Sequence, residues 1–435
     1  MERFALSRMK EWKENENRKP LIIRGARQVG KTWIMKTFGQ QYFEKTAYVN
    51  FDNNARMKQV FEGDLDIERL VLSISAETGV SIEAENTLII FDEVQEVPKA
   101  LTSLKYFYEN APQYAIVAAE SLLGVALHQG TSFPVGKVDF LDLYPLNFRE
   151  FLCAMGEKQF VSMLDSCDTQ MVTVFKTKYI ERLREYYFVG GMPEVVKDFS
   201  EKKDYNRVRA IQKNLINYYQ QDFSKHAEIK LVPRLNLVWN SIPMQLAKEN
   251  KKYIYGQVRE GSRAKDFELA IQWLLDCGLI HKVQRIQKPD LTLKAYIDFD
   301  AFKLFLVDIG LLIAMTDLDA KVIIEGNKIF TEFKGALTEQ YILQQLISDV
   351  GVIPYYYSTQ NSKGEIDFLV QGKTSVIPIE VKAEENLKAK SLKAFCEKYQ
   401  PSYAVRTSMS DYREQDWMTN IPLYAVKWIK NYVNQ

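Results

Sequence analysis

Eight residues, Gly25-Ala26-Arg27-Gln28-Val29-Gly30-Lys31-Thr32, constrain this chain more than any other stretch. They follow the apolar run Leu21-Ile22-Ile23 and precede Trp33-Ile34-Met35-Lys36-Thr37-Phe38, which can continue as a helix. Strand, glycine loop and helix in that order make a phosphate cradle. The glycines let successive backbone N–H groups turn inward, and the helix N-terminus adds its partial positive charge. Lys31 can then reach the β- and γ-phosphates, and the Thr32 hydroxyl can ligate Mg²⁺. The expected ligands are ATP and Mg²⁺. The alternative is a chance glycine turn at a strand–helix junction.

A second motif belongs with the first. Thr87-Leu88-Ile89-Ile90-Phe91 is an apolar strand that ends in Asp92-Glu93. Alone, two acids there are equally a plain strand exit. Downstream of a phosphate loop they read as a Walker B pair: Asp92 holds Mg²⁺ and Glu93 orients and deprotonates the attacking water. Between them lies the alternating strand Ala47-Tyr48-Val49-Asn50-Phe51, and Tyr114 to Ala119 is a further buried strand. In additional-strand P-loop ATPases that last strand lies between the other two and ends in a polar sensor of the γ-phosphate. Ser121 is the candidate sensor, or else the cap of a following helix. Phe140 to Leu146 reads as the last strand of the core.

With 435 residues the chain is long enough for two to four domains. Its 57 basic and 56 acidic residues leave a formal charge of +1, so nucleic acid would be met by a local patch rather than by overall charge. Cys153, Cys167, Cys277 and Cys396 are far apart, with no C-x-x-C pair, which points away from structural zinc or a disulfide framework. No apolar run is long enough for a membrane span, and Met1-Glu2-Arg3-Phe4-Ala5 is unlike a signal peptide. The expectation is a cytoplasmic protein without a membrane partner.

Past the core, Phe148 to about Tyr187 has an amphipathic helical pattern suited to a lid, broken at Gly190-Gly191-Met192-Pro193. Residues 206–250 are helical by spacing, and His226, with no second histidine nearby, reads as structural. Tyr253 to Val283 has the outline of a winged helix: a short segment, the apolar helix Phe267 to Leu275, then the strand Leu279 to Val283. Such a helix can read DNA. With Trp273, Leu274 and Leu275 and few basic residues, it suits packing or a protein partner better.

The C-terminal part holds another constellation. Glu365-Ile366-Asp367-Phe368-Leu369-Val370 and Val376-Ile377-Pro378-Ile379-Glu380-Val381-Lys382 read as two strands around a turn at Gly372. Alternation puts Glu380 and Lys382 on one face, where Asp367 can converge with them. Glu339, on the helix opened by Gly335, can add another carboxylate. Carboxylates so placed can hold Mg²⁺ against a phosphodiester, and the lysine can activate water. The alternative is a hairpin with solvated charges. Against it, Asp367 and Glu380 interrupt otherwise apolar strands, where an unpaired charge is costly. Lys388, Lys390, Lys393 and Lys398 nearby can touch phosphates or form a solvated helix face.

The stretches GARQVGKTW, DEVQEVPKALTSLKYFYENAP, SFPVGKVDFLDLYPLNFREFL, VGGMPEVV and SIPMQLAKENKKY resemble a prokaryotic family of AAA-type ATPases with a C-terminal domain of unknown function. The resemblance runs over essentially the whole chain. It implies an α/β protein: an AAA-like P-loop core with a parallel sheet between helices (1–150), a helical lid (151–205), a helical and winged-helix-like region (206–300) and a restriction-endonuclease-like α/β domain (301–435). The last is similar to PD-(D/E)xK nucleases through Asp367 and Glu380-x-Lys382. It implies no settled biological role; the partners to expect are DNA or RNA, a protein at the winged-helix region, and a second copy of the chain. One departure stands out. Family members usually carry glycine where this chain has Glu120, and a carboxylate beside the γ-phosphate would repel it and slow hydrolysis.

Overall fold

The computed structural model describes residues 1–120, 133–248, 251–324, 331–359, 364–384 and 389–435. It divides into two compact units, residues 2–144 with 276–279, and residues 145–275 with 280–435.

In the first unit five strands, β1 (Leu21–Arg24), β2 (Lys45–Asn50), β3 (Thr87–Asp92), β4 (Ala115–Ala119) and β5 (Asp139–Asp142), form one sheet in the order β2-β3-β4-β1-β5. All four pairings are parallel. β3 and β4 are buried along their whole length, as the unbroken apolar runs require of central parallel strands. β4 does lie between β1 and β3, the arrangement of additional-strand P-loop ATPases. β5 is shorter than the apolar run around it. Its ladder with β1 ends at Arg24 opposite Asp142, because the chain beyond Arg24 leaves the sheet for the glycine loop.

The helices of this unit begin where the sequence offers caps. Asn54 accepts from Met57 N, Asp66 accepts from Arg69 N, and Pro98 occupies the first turn of the helix Pro98–Asn110. Their apolar faces meet the sheet in one core. In it Phe51, Phe61 and Phe91 pack edge to face with centroids 5.4 to 5.6 Å apart. Because the strands are parallel, the segments following β1, β3 and β4 all emerge at the same edge of the sheet, and those segments carry the glycine loop, Asp92-Glu93 and Glu120.

The second unit is built on an eight-stranded mixed sheet in the order β12-β13-β11-β10-β9-β8-β6-β7. Its strands are β6 (Ile280–Ile286), β7 (Ile297–Leu306), β8 (Tyr355–Ser358), β9 (Glu365–Gln371), β10 (Val376–Val381), β11 (Val405–Ser408), β12 (Arg413–Gln415) and β13 (Met418–Pro422). The strand expected after the apolar helix is β6. It pairs antiparallel with β7 and parallel with β8, so the hairpin extends the sheet that carries Asp367 and Glu380.

The helix Thr331–Gln345 crosses this unit with a face of buried amides. Gln340 clasps Leu306, accepting from its N–H (3.0 Å) and donating to its carbonyl (2.7 Å). Gln344 accepts from Ile309 N, and Gln345 accepts from Phe148 N. These side chains satisfy backbone groups that the packing would otherwise strand away from water. Beside them Asp308, fully buried, accepts from Gly191 N (2.6 Å) and Leu311 N (3.1 Å). This accounts for the Gly190-Gly191 break. Gly190 has φ +73°, and a Cβ there would lie 2.2 Å from Asp308 Oδ1.

Candidate nucleotide site and a buried charge cluster

Gly25 follows β1 with φ +151°, and a Cβ at this position would sit 2.1 Å from the Leu143 carbonyl. Only glycine fits. Gln28 follows with φ +64°, and Gly30, at φ +95°, precedes the first turn of the helix Lys31–Tyr42. The side chains of Ala26 and Val29 are buried beneath the loop, which leaves its backbone to face a ligand. Arg3 donates to the Val29 carbonyl (3.0 Å) and to the Tyr144 carbonyl, tying the start of the chain to the loop.

Lys31 turns back on the loop, donating to the carbonyls of Gly25 and Ala26, both at 2.8 Å. Burial lowers its pKa to about 8, against the opposing pull of Glu93 and Asp92. The Thr32 hydroxyl donates to Asp92 Oδ2 (2.7 Å), and Tyr48, from β2, donates to the same oxygen (2.9 Å). Asp92 is 3% exposed, and the two hydroxyls that hold it are half-buried. A hydroxyl and a carboxylate meeting beside a phosphate-loop lysine are the donor set that Mg²⁺ takes with a nucleotide. The residues present therefore fit the ion.

Glu93 leaves β3 in a left-handed conformation, φ 52° and ψ 46°. That backbone is uncommon for a residue with a Cβ and is held where function repays it. Gln95 donates to Glu93 Oε2 (2.5 Å) and so orients the carboxylate. Tyr48 and Gln95 carry no motif of their own. Tyr48 was accessible only as one residue of an alternating strand.

Glu120 directly follows β4 and is 1% exposed, with neither carboxylate oxygen hydrogen-bonded among the described residues. Burial, opposed by Lys31 and helped by Glu93, raises its pKa to about 8. This shift favours the uncharged acid, which would weaken the charge repulsion expected from the sequence. Ser121 lies outside the described residues.

The second constellation also comes together. Glu380 is buried and its Oε1 lies 2.6 Å from Lys382 Nζ, as alternation along β10 requires. Asp367 Oδ2 accepts from Val381 N (2.7 Å), which fixes it against the neighbouring strand. Glu339, 5% exposed on the helix Thr331–Gln345, pairs with Lys251 and lies 3.5 Å from Lys303 Nζ. Lys303, on β7 and fully buried, also holds Glu365 at 2.5 Å.

Four carboxyl groups thus face three ammonium groups. Burial first, then Glu339 and Glu380, push the Asp367 carboxyl well above the usual carboxylate range. Burial works against the Lys303 charge, but Glu339, Glu365 and Asp367 more than offset it and raise its pKa. Lys251, Lys303 and Glu365 escape a sequence reading. Lys303 is a lone lysine in a strand, and its role arises only when β7 joins the sheet.

Arg149 is 6% exposed and binds Asp349 (2.7 Å) and Asp165 (2.5 Å). It serves the second unit's own packing.

Residues 17–152 match the family described as AAA domain. Residues 180–322 match a domain of unknown function (DUF8612), and residues 334–426 match another (DUF4143). No curated protein matches the chain. Among solved structures, the Walker-type ATPase PABY2304 of Pyrococcus abyssi is 15% identical, covering 72% of this chain and 95% of its own, with a TM-score of 0.44. The Aeropyrum pernix ORC1 protein in complex with DNA is 12% identical (72% and 91% covered, TM-score 0.27). The Thermotoga maritima RuvB Holliday junction branch migration motor is 11% identical (64% and 87% covered, TM-score 0.30). Likeness this loose carries no argument about function.

Proposed function

We propose that this chain, whose residues 17–152 match the AAA domain family and whose residues 334–426 match a domain of unknown function, binds and hydrolyses ATP. The observation that carries this is the Thr32–Asp92 corner beside Lys31. On this reading the N–H groups of residues 25–32 cradle the phosphates, and Lys31 exchanges its two loop carbonyls for phosphate oxygens. Glu93, held by Gln95, takes the proton of the attacking water. Mg²⁺ bound by Thr32 and Asp92 would neutralise charge developing on the phosphates. The test is nucleotide binding and turnover in Lys31→Ala, which is expected to lose both; retained ATP affinity would sink the assignment.

The nucleotide cycle, on the same reading, controls the C-terminal half. Supporting a nucleic-acid target is the similarity of Asp367, Glu380 and Lys382, with Glu339, to the PD-(D/E)xK core. A protein partner at the helix Ala264–Asp276, and self-association, complete the proposed contacts. None of the four cysteines forms a disulfide, in keeping with a reducing cytoplasm. No helix among the described residues is long and apolar enough to cross a membrane.

A second reading makes the chain a nucleotide-gated binding or regulatory protein whose nuclease-like domain does not cut. The lysine pairing of the carboxylates favours it. Nuclease assays on single- and double-stranded DNA and RNA with Mg²⁺ or Mn²⁺ separate the two: cleavage lost in Asp367→Ala and Lys382→Ala supports the first.

A further inference from the structure

The carboxyl groups that the nuclease-like reading assigns to a metal ion are already engaged by the protein's own cations. Lys303 Nζ stands 2.5 Å from Glu365 and 3.5 Å from Glu339, and its side chain is wholly shielded from water. Lys251 pairs with Glu339 from another direction. Lys382 sits on Glu380, and the backbone N–H of Val381 takes one oxygen of Asp367. Glu339 Oε2 and Glu380 Oε2 lack a hydrogen bond, but the first has Lys303 beside it and the second belongs to a carboxylate paired through its other oxygen. Among the described residues no group of three or more His, Cys, Asp or Glu side chains is arranged to hold a metal ion. The residues therefore do not fit the divalent ion that a PD-(D/E)xK core uses.

We infer that Lys303 is a built-in cation which, with Lys251, takes the electrostatic place of the divalent metal and excludes it, leaving the C-terminal unit to bind rather than cleave. The inference rests on the nuclease-like reading of Glu339, Asp367 and Glu380. A buried ammonium cannot leave its carboxylates for solvent without uncovering charges in a dry interior, which is strongly unfavourable. A divalent ion entering beside it would meet a like charge at close range with little screening. Lysine differs from a metal in one decisive respect: it donates hydrogen bonds but presents no open coordination position for a water or a phosphodiester oxygen. The cluster is then a fixed, ion-paired joint between β7, β9, β10 and the helix Thr331–Gln345.

The test is Mn²⁺ binding, followed by electron paramagnetic resonance, to the full-length nucleotide-free chain. Asp92→Asn is carried throughout to silence the nucleotide site. In that background no Mn²⁺ site sensitive to Glu339→Gln is expected. Replacing Lys303→Met together with Glu365→Gln removes one charge of each sign, which protects folding, and circular dichroism checks it. This double variant is expected to gain Mn²⁺ affinity by at least about tenfold at a site lost again on Glu339→Gln. Should the chain with Lys303 intact already bind Mn²⁺ through Glu339, the nuclease-like reading stands and the inference falls. Should the folded double variant gain no site, the nuclease-like reading falls and takes the inference with it.

Discussion

The Thr32 hydroxyl donates to Asp92 Oδ2 across 2.7 Å, joining the first helical residue after the glycine loop to the end of β3. The two residues are sixty positions apart in sequence, and each belongs to a motif that alone is ambiguous. Their contact turns two motifs into one site. Asp92→Asn should reduce ATP turnover by roughly a hundredfold or more, the scale of losing one preorganised electrostatic group. Binding of ATP measured without Mg²⁺ should change little. Equal loss with and without Mg²⁺ would show that Asp92 serves the fold rather than the ion.

ATP affinity should fall as pH rises through about 8. Lys31 and Glu120 both titrate near that value in the nucleotide-free chain. Polyphosphate favours the protonated form of each, since it attracts the ammonium and repels the carboxylate. Above pH 8 binding must take up protons, so affinity drops by up to about tenfold per pH unit for each group. Glu120→Gln should remove one proton from this dependence and raise affinity at pH 9. An unchanged slope by isothermal titration calorimetry would contradict it.

Asp308 predicts a stability difference of known sign. Burial raises its pKa to about 6, partly offset by the N–H groups of Gly191 and Leu311. The folded state therefore keeps a proton that the unfolded state loses near pH 4. Its contribution is fully present below pH 4 and is lost as pH rises to about 6, a fall of about 3 kcal/mol. Asp308→Asn should flatten that segment of the stability–pH curve. It should also lower stability by roughly 1–3 kcal/mol at pH 7, because one amide oxygen cannot serve both N–H groups and its NH₂ faces donors. Parallel curves for the two proteins would refute the assignment.

Gly25 tests how closely the loop is built. Gly25→Ala would press a methyl group to 2.1 Å from the Leu143 carbonyl. The loop must move, and ATP affinity should fall at least about tenfold, with a stability loss of order 1–3 kcal/mol. Wild-type affinity in a folded variant would show that the loop is looser than its geometry implies.

Much of the nucleotide site was legible because its chemistry is local. Eight consecutive residues define the loop, and an apolar strand followed by Asp92-Glu93 defines its companion. β4 could be placed between β3 and β1 through the likeness to additional-strand P-loop ATPases, which the sheet order matches. Tyr48 and Gln95 were not legible, since hydrogen-bonding side chains in a strand and a turn have no signature of their own. Glu120 was noticed as a departure from glycine, but its protonation depends on burial, which sequence does not display. In the C-terminal half, alternation correctly paired Glu380 with Lys382. Lys303 was invisible because its partners lie on elements 36 and 62 residues onward, at Glu339 and Glu365, and long-range sheet pairing leaves no local mark. The Gln340, Gln344 and Gln345 face was equally silent, since glutamines on a helix ordinarily read as solvent-facing.

The central claim is that Glu93, poised at a strained position behind Asp92, activates water for ATP hydrolysis. Phosphate release from γ-labelled ATP, followed in a single turnover with and without nucleic acid, tests it most directly. Glu93→Gln should bind ATP as the native chain does and release phosphate at least roughly a hundredfold more slowly. Phosphate release at the native rate from Glu93→Gln would contradict the account.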